Sequence, residues 1–323
     1  MINSSIKQAG ALVTALFLIW TATSSVAAEA KGKSPWGDFV EKDFPFFSSV
    51  LEARKLGEGW PTNNLTPRGL ILNLGHDCWA CFDTDLLRVS AIWTGADVTP
   101  VAMSYGSYQL SGYKIPEGQK ILPEPNGKVW LANGVYPGWQ TGATVVLTDP
   151  RPPAPDVKEV GRGPIDPSLG QFKGVRLVED GVILEYTVAG VNVQERITAR
   201  EQNGGVAIGR NFKLEKIPQA LWLVLGQRPS NVGGSPATLM TSASVNGKAI
   251  AELTTQPDGL QTVRLQPAKQ SITFQVAMSL SGTVQTWTTQ FAPEAKAPAV
   301  RWPQTVTTTP KLAQDKEAYV LDD

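Results

Sequence analysis

Residues 181–201, GVILEYTVAGVNVQERITARE, carry the clearest fold signal in the chain. Apolar and polar side chains alternate on both sides of Ala189-Gly190, a pair that favours a two-residue turn. A period of two is typical of a β-strand with one buried face, whereas an amphipathic helix repeats every 3.6 residues. The stretch therefore predicts an antiparallel hairpin in which Val188 faces Val191.

Similar strand patterns extend from this hairpin in both directions. Turn pairs such as Asn246-Gly247 and Asp258-Gly259 separate them, and almost no helical pattern intervenes. The predicted strands cover residues 69–74, 86–93, 128–132, 144–148, 173–178, 205–214, 220–226, 237–245, 260–266 and 271–280. We therefore predict an all-β fold, an antiparallel β-sandwich that is either one large sandwich or two-part. One short helix is predicted over 44–57, FPFFSSVLEARKLG, where Ser48 or Ser49 caps the start and Gly57 ends it.

The N-terminus reads as a secretory signal peptide. Lys7 precedes an apolar run, and the small residues Val26-Ala27-Ala28 follow it, so cleavage is expected after Ala28. An uncleaved membrane anchor is the alternative. The chain then divides into a signal peptide (1–28), an N-terminal lead with the short helix (29–62), a β-sheet region (63–148), a Pro-rich linker or long loop (149–172), a β-sandwich region (173–291) and a Pro-rich connector with a truncated tail (292–323). The expected product is exported, periplasmic or extracellular, and has no membrane attachment after cleavage.

Charge and composition narrow the range of partners. The chain has 29 basic and 29 acidic residues, and loss of the signal peptide removes only Lys7, which leaves a net charge of about −1. A near-neutral chain lacks the basic surface that nucleic acids and anionic membranes attract, so we expect neither as a partner. Nothing in the sequence calls for a cofactor.

The segment GHDCWACFD, residues 75–83, holds the only histidine and both cysteines. Phe82 stands where a c-type haem site needs histidine, no strand-to-helix junction supports a redox dithiol, and a zinc site lacks a fourth ligand. Two alternatives remain for Cys78 and Cys81, either a short-loop disulfide or two buried thiols. His76 is kept as a ligand-binding candidate.

Several carboxylates are candidates for chemistry. Asp77, Asp83 and Asp85 either gather around Ca²⁺ or cap turns and pair with Arg88, and the second alternative is favoured because no D-x-D-x-D-G loop is present.

The register of the hairpin also places Glu195 on an apolar strand face. Arg210 lies diagonal to it on the following strand, which predicts a buried ion pair. Glu195 and Asp83 are the candidates for an acid/base role, which is secondary to a structural one.

Aromatic residues concentrate in VWLANGVYPGWQTG, residues 129–142. Trp130, Tyr136 and Trp139 either present flat rings to a sugar, with Asn133 or Gln140 donating hydrogen bonds, or cap the core. The core alternative is favoured.

Four stretches resemble an uncharacterised module of large secreted bacterial proteins. They are DFPFFSSVLEARKLG (43–57), NLTPRGLILNLGHDCWACFDTDLLRVSAIWTG (64–95), WLANGVYPGWQTG (130–142) and GVILEYTVAGVNVQERITA (181–199). In that family the module precedes a propeller similar to soluble sugar dehydrogenases and often a c-type cytochrome domain. The resemblance implies a propeller and cytochrome partner, in the same polypeptide or as a separate subunit, and no activity transfers to residues of this chain.

Two function classes follow. The first is a non-catalytic module that serves a quinone- or cytochrome-type sugar oxidoreductase and contacts carbohydrate. The second is a stand-alone carbohydrate-active enzyme, a hydrolase or lyase that uses carboxylates. Because KEAYVLDD follows a Pro-rich stretch and reads like the start of another strand, we also expect the chain to be the N-terminal part of a larger architecture, with residues 311–323 packing poorly on their own.

Overall fold

The fold of the described residues is entirely β. The computed structural model describes residues 45–99, 120–153, 161–178, 181–230, 232, 237–241, 244–245, 248–279, 282–287, 289–291, 311–312 and 319–320. The predicted signal peptide, most of the N-terminal lead and most of the 292–323 connector lie outside them. Within these ranges there is no helix, and both large sheets are antiparallel. The predicted all-β antiparallel class is therefore confirmed.

The strands are numbered in chain order. They are β1 (Phe46–Glu52), β2 (Leu65–Gly75), β3 (Cys78–Asp83), β4 (Arg88–Val98), β5 (Pro125–Ala132), β6 (Trp139–Gln140), β7 (Gly170–Val178), β8 (Gly181–Val188), β9 (Val191–Gln202), β10 (Gly205–Leu214), β11 (Leu221–Gln227), β12 (Ala237–Met240), β13 (Ser244–Val245), β14 (Lys248–Ala249), β15 (Ala251–Thr255), β16 (Leu260–Leu265), β17 (Ile272–Ser279), β18 (Lys311–Leu312) and β19 (Tyr319–Val320).

Two large sheets contain most of these strands. The first has the order β1-β2-β3-β4-β5-β11-β16-β15, with β6 paired to β11, and the second has the order β12-β17-β10-β9-β8-β7. The β8–β9 register pairs Val188 with Val191, as the hairpin pattern predicts. Two small sheets, β13-β14 and β18-β19, complete the set.

The inner faces of the two sheets share one hydrophobic core, which makes the arrangement sandwich-like. Leu70, Leu72 and Phe82 from the first sheet belong to the same buried cluster as Leu184 and Tyr186 from the second. The Phe82 and Tyr186 rings stack across the interface with centroids 5.5 Å apart. This cluster is called the shared core below.

The first sheet draws on residues from before and after the Pro-rich stretch at 149–172, whereas every strand of the second sheet starts at residue 170 or later. The first sheet begins with strands of residues 46–140 and is completed by β11, β15 and β16, which lie within 221–265. Within the Pro-rich stretch, Ile165 is part of the shared core and its N–H donates to the Asp85 carbonyl at 3.0 Å. The described part of this stretch therefore packs along the sandwich.

The helix predicted over 44–57 is wrong, because β1 occupies its centre. Phe47 pairs with Ile71 and Ser49 pairs with Gly69 of β2. Leu51 is fully buried on the outer face of the first sheet. Adjacent aromatic residues followed by serines and Val50 suit a pleated strand, and pairing with β2 outweighs the weak helix signals. Among the described residues, no helix has the length and apolar character needed to cross a membrane.

Candidate functional site

The two cysteines lie on opposite faces of strand β3 and form no disulfide. Successive side chains of a strand alternate between faces, so residues three positions apart point in opposite directions. Cys78 is in the shared core, whereas Cys81 belongs to a cluster on the outer face with Ile71 and Trp93. Both are buried free thiols. The predicted short-loop disulfide is therefore absent for a geometric reason, and the alternative of two buried thiols describes the structure.

Burial also determines the chemistry of these thiols. It raises the pKa of the Cys78 thiol and of the Cys81 thiol to about 12 in each case. A thiol becomes nucleophilic or metal-binding only as the thiolate, and these groups stay protonated at neutral pH. The segment therefore offers no reactive sulfur.

His76 lies at the tip of the β2–β3 turn, where it adopts a left-handed conformation (φ 52°). Its side chain is 42% exposed, and its Nδ1 lies 3.5 Å from Oε1 of the exposed Glu201 of the second sheet. A cleft of about 230 Å³ opens beside it between β2 and β9. The histidine thus lies at one mouth of the sandwich.

Asp83 and Arg88 form a buried ion pair next to the β3–β4 turn. Arg88 Nε donates to Asp83 Oδ2 at 3.0 Å, and both side chains are at most 2% exposed. The other Arg88 nitrogens donate to Asn64, Thr66 and the carbonyls of residues 133 and 134. Asp83 Oδ1 accepts from the backbone N–H groups of residues 85 and 86. Burial raises the pKa of Asp83 even though Arg88 opposes the shift.

The structure does not gather the three calcium candidates. Asp77 sits at the turn before β3 and Asp83 ends that strand, a separation of roughly 20 Å along extended chain. Asp85 is buried and pairs with Arg68 and with Arg151. Within the described ranges, no three His, Cys, Asp or Glu residues are close enough to hold a metal ion.

Glu195 and Arg210 meet in the interior, between the two sheets. Arg210 Nε donates to Glu195 Oε1 at 2.7 Å, and both side chains are fully buried. Glu195 Oε2 accepts from the Tyr186 hydroxyl at 2.7 Å, and that hydroxyl accepts from Trp139 Nε1 at 3.0 Å. Burial, followed by the charge of Glu195, raises the pKa of Tyr186 well above its ordinary value. Arg210 Nη2 is buried with no hydrogen-bond partner.

The aromatic rings of residues 129–142 are buried rather than displayed. Trp130, Tyr136 and Trp139 are 4%, 5% and 3% exposed. Asn133 is also buried and binds the Tyr136 hydroxyl and the carbonyls of residues 89 and 225. A ring that stacks on a sugar must present a face to solvent, so these residues do not form a sugar platform in this structure.

Two surface features do not stand out in the sequence. One is a cleft of about 390 Å³ that is lined by Glu52, Lys55, Trp60, Glu124, Lys128 and Val232. Trp60, at only 8% exposed, contributes little more than part of its wall. The other is a half-buried tryptophan, Trp222, on the outer face of the first sheet beside Arg264. Short sequence patterns reveal neither feature, because each is formed by segments that are far apart in the chain.

Comparison with known protein families gives a match over part of the chain. Residues 80–195, about a third of the chain, match DUF6797, a domain of unknown function. The matched range starts in β3, ends at Glu195 of β9 and includes the Asp83–Arg88 pair. No curated protein and no solved structure matches the chain. The chain therefore contains an uncharacterised module, and its association with a propeller or cytochrome stays a prediction.

Proposed function

We propose that the chain is a non-catalytic, exported β-sandwich module that accompanies a quinone- or cytochrome-type sugar oxidoreductase and contacts carbohydrate. The observation that carries the non-catalytic part is the burial of both candidate carboxylates. Glu195 is fully buried and Asp83 is 1% exposed, and each is bound to an arginine. A general acid or base must come within hydrogen-bond reach of a substrate proton.

Glycoside hydrolysis imposes a further demand that these residues do not meet. It requires two carboxyl groups on either side of the scissile bond, in a cleft that admits the sugar. Here each carboxylate lies in its own buried cluster, and its oxygens are occupied by arginine and by hydroxyl or backbone N–H donors. Such clusters fix the relative positions of strands, which is a structural task.

The accessory part of the proposal is supported by the resemblance and by the predicted export. Its test uses the purified chain and a purified propeller–cytochrome protein encoded in the same genome. We expect the chain alone to release no reducing ends from polysaccharides and to reduce no electron-acceptor dye. Added to the oxidoreductase, it should lower the KM for a polymeric sugar and leave the KM for the free monosaccharide unchanged.

Two results would contradict this function. Release of reducing ends in proportion to the concentration of the chain would make it an enzyme. Failure to bind the oxidoreductase, together with unchanged KM values, would remove the accessory role.

A further inference from the structure

The outer face of the first sheet carries a row of side chains that do not belong to any core. The register pairs Trp222 of β11 with Gln140 of β6 on one side and with Arg264 of β16 on the other. Arg264 pairs in turn with Glu252 of the edge strand β15. Paired residues in neighbouring strands point to the same face, so these four side chains form one row.

This row points away from the shared core. The residues flanking Trp222, Leu221 and Leu223, are fully buried in that core. Since neighbours along a strand alternate between faces, Trp222 faces outward. It is half-buried, as is Arg264, while Glu252 is exposed.

The tryptophan ring is held in a fixed orientation. Its Nε1–H donates to the carbonyl of Gly142 at 3.2 Å. Gln140 exchanges two hydrogen bonds with the backbone of Val146 and donates to the carbonyl of Pro137, which ties down the adjoining loop. An aromatic platform that is already immobilised loses little further entropy when a ligand binds.

Arg264 has hydrogen-bonding capacity that the protein leaves unused. Its guanidinium lies 5.2 Å from the centroid of the Trp222 ring. Its Nε is buried without a hydrogen-bond partner, and its side chain forms no ion pair with any residue in the described ranges. The Nε is closed off from solvent, but Arg264 as a whole is only half-buried, and its Nη groups are the donors that a ligand can reach.

The charges of the row favour a neutral ligand. Arg264 supplies donors, Glu252 supplies acceptors, and the two charges cancel. An anion would be attracted by Arg264 but repelled by Glu252. The hydroxyls of a sugar ring can accept hydrogen bonds from Arg264 and donate hydrogen bonds to Glu252. Val146, whose side chain is 55% exposed and whose backbone is hydrogen-bonded to Gln140, lies next to the row. From Trp222 to Glu252 the row spans about 10 Å, two strand spacings.

We propose that the Trp222–Arg264–Glu252 row is a binding site for neutral saccharides, in which Trp222 packs against the apolar side of a sugar ring and Arg264 and Glu252 bind its hydroxyls. This inference rests on the proposed carbohydrate contact and names the residues that make it.

The test is affinity electrophoresis in native gels that contain xylan, galactomannan or hydroxyethylcellulose. Wild-type protein should be retarded by at least one of these polymers. Arg264→Met keeps the aliphatic stem but removes the hydrogen-bond donors. It should raise the dissociation constant at least about tenfold, the loss of affinity expected when hydrogen bonds from a charged group are removed. Trp222→Leu should abolish retardation.

A matched control exists on the second sheet, where Arg200 lies 5.6 Å from the Trp287 ring centroid. Arg200→Met should leave retardation unchanged, and urea unfolding curves should show that all variants are folded. If wild-type protein is retarded and Arg264→Met is retarded equally, this site is wrong while the proposed carbohydrate contact stands. If no polymer retards wild-type protein, the carbohydrate contact itself is wrong, and the site with it.

Discussion

Replacing Glu195 with leucine should destabilise the protein severely, because the change leaves a buried cation without its partner. In the native structure Arg210 Nε is bound to Glu195 at 2.7 Å, and Nη2 already lacks a partner. Its remaining hydrogen bond, from Nη1 to the Leu225 carbonyl, is long at 3.4 Å. The Tyr186 hydroxyl loses its acceptor in the same step.

The expected magnitude follows from the cost of leaving one charge of a buried pair uncompensated. Breaking such a pair costs about 3–5 kcal/mol. That is a large fraction of the roughly 5–15 kcal/mol that holds a typical domain together. With a urea dependence near 3 kcal/mol per molar, the unfolding midpoint should fall by about 1–2 M.

Urea unfolding monitored by tryptophan fluorescence measures this loss. Arg210→Met should be destabilised comparably, since it leaves the Glu195 carboxylate unpaired. The double variant Glu195→Leu/Arg210→Met places apolar side chains in an apolar interior. Its stability should therefore return to within about 1 kcal/mol of wild type, as replaced buried ion pairs often do.

The double-variant comparison separates this reasoning from simple loss of packing. If each single change costs less than about 1 kcal/mol, Glu195 is not sealed in a dry interior. If the double variant is as unstable as the sum of the singles, the pair has no special coupling and the losses come from shape alone.

Three further outcomes are expected. Both β3 cysteines should resist iodoacetamide at pH 8 in folded protein and react after unfolding, because burial raises the pKa of each to about 12. An intact mass lower by two hydrogen atoms would reveal a disulfide instead. Gly209→Ala should make the segment 282–287 more susceptible to protease, because the added Cβ would lie 2.6 Å from the Trp287 ring, whereas Gly174→Ala, with nothing within 4 Å, should not. Burial alone would raise the pKa of Glu52, but hydrogen bonds from Arg54 outweigh it and lower the pKa. The stability that ionised Glu52 provides is therefore complete above about pH 4.3, the pKa of an unfolded glutamate, and is lost as the pH falls through the lowered pKa. The free energy of unfolding of Glu52→Gln should therefore fall less than that of wild type on acidification. Plots of the unfolding free energy against pH that run parallel for the two proteins would contradict this.

Local patterns predicted much of the second sheet. The two-residue turn at Ala189-Gly190 and the period of two place Leu184 opposite Glu195, as observed. Because the next hairpin is equally short, the pattern also relates β9 to β10 and brings Arg210 near Glu195. Short connections leave few alternative registers, which is why sequence reasoning works there.

Prediction failed where distant segments decide the structure. Residues 46–52 contain weak helix signals, and only pairing with β2 makes them a strand. The C-x-x-C spacing is compatible with a short disulfide loop. Residues 78–83 form a strand instead, and the strand places Cys78 and Cys81 on opposite faces of the sheet.

The candidate saccharide row shows the same limit. Gln140, Trp222, Arg264 and Glu252 become neighbours only through the order β6-β11-β16-β15. The β15–β16 hairpin is short and is marked by the Asp258-Gly259 turn, but β6, β11 and β16 are joined by long connections. No short-range pattern specifies their order, because their pairing depends on the completed core.

Isothermal titration calorimetry with a soluble oligosaccharide of the polymer that retards the protein tests the central claim, a carbohydrate-contacting module without catalysis, most directly. The account predicts that the signal returns to baseline after each injection and that the heat per injection declines as the binding sites fill. It also predicts a smaller heat of binding for Arg264→Met. A heat flow that continues after the binding sites are saturated would show turnover of the oligosaccharide and would contradict the account.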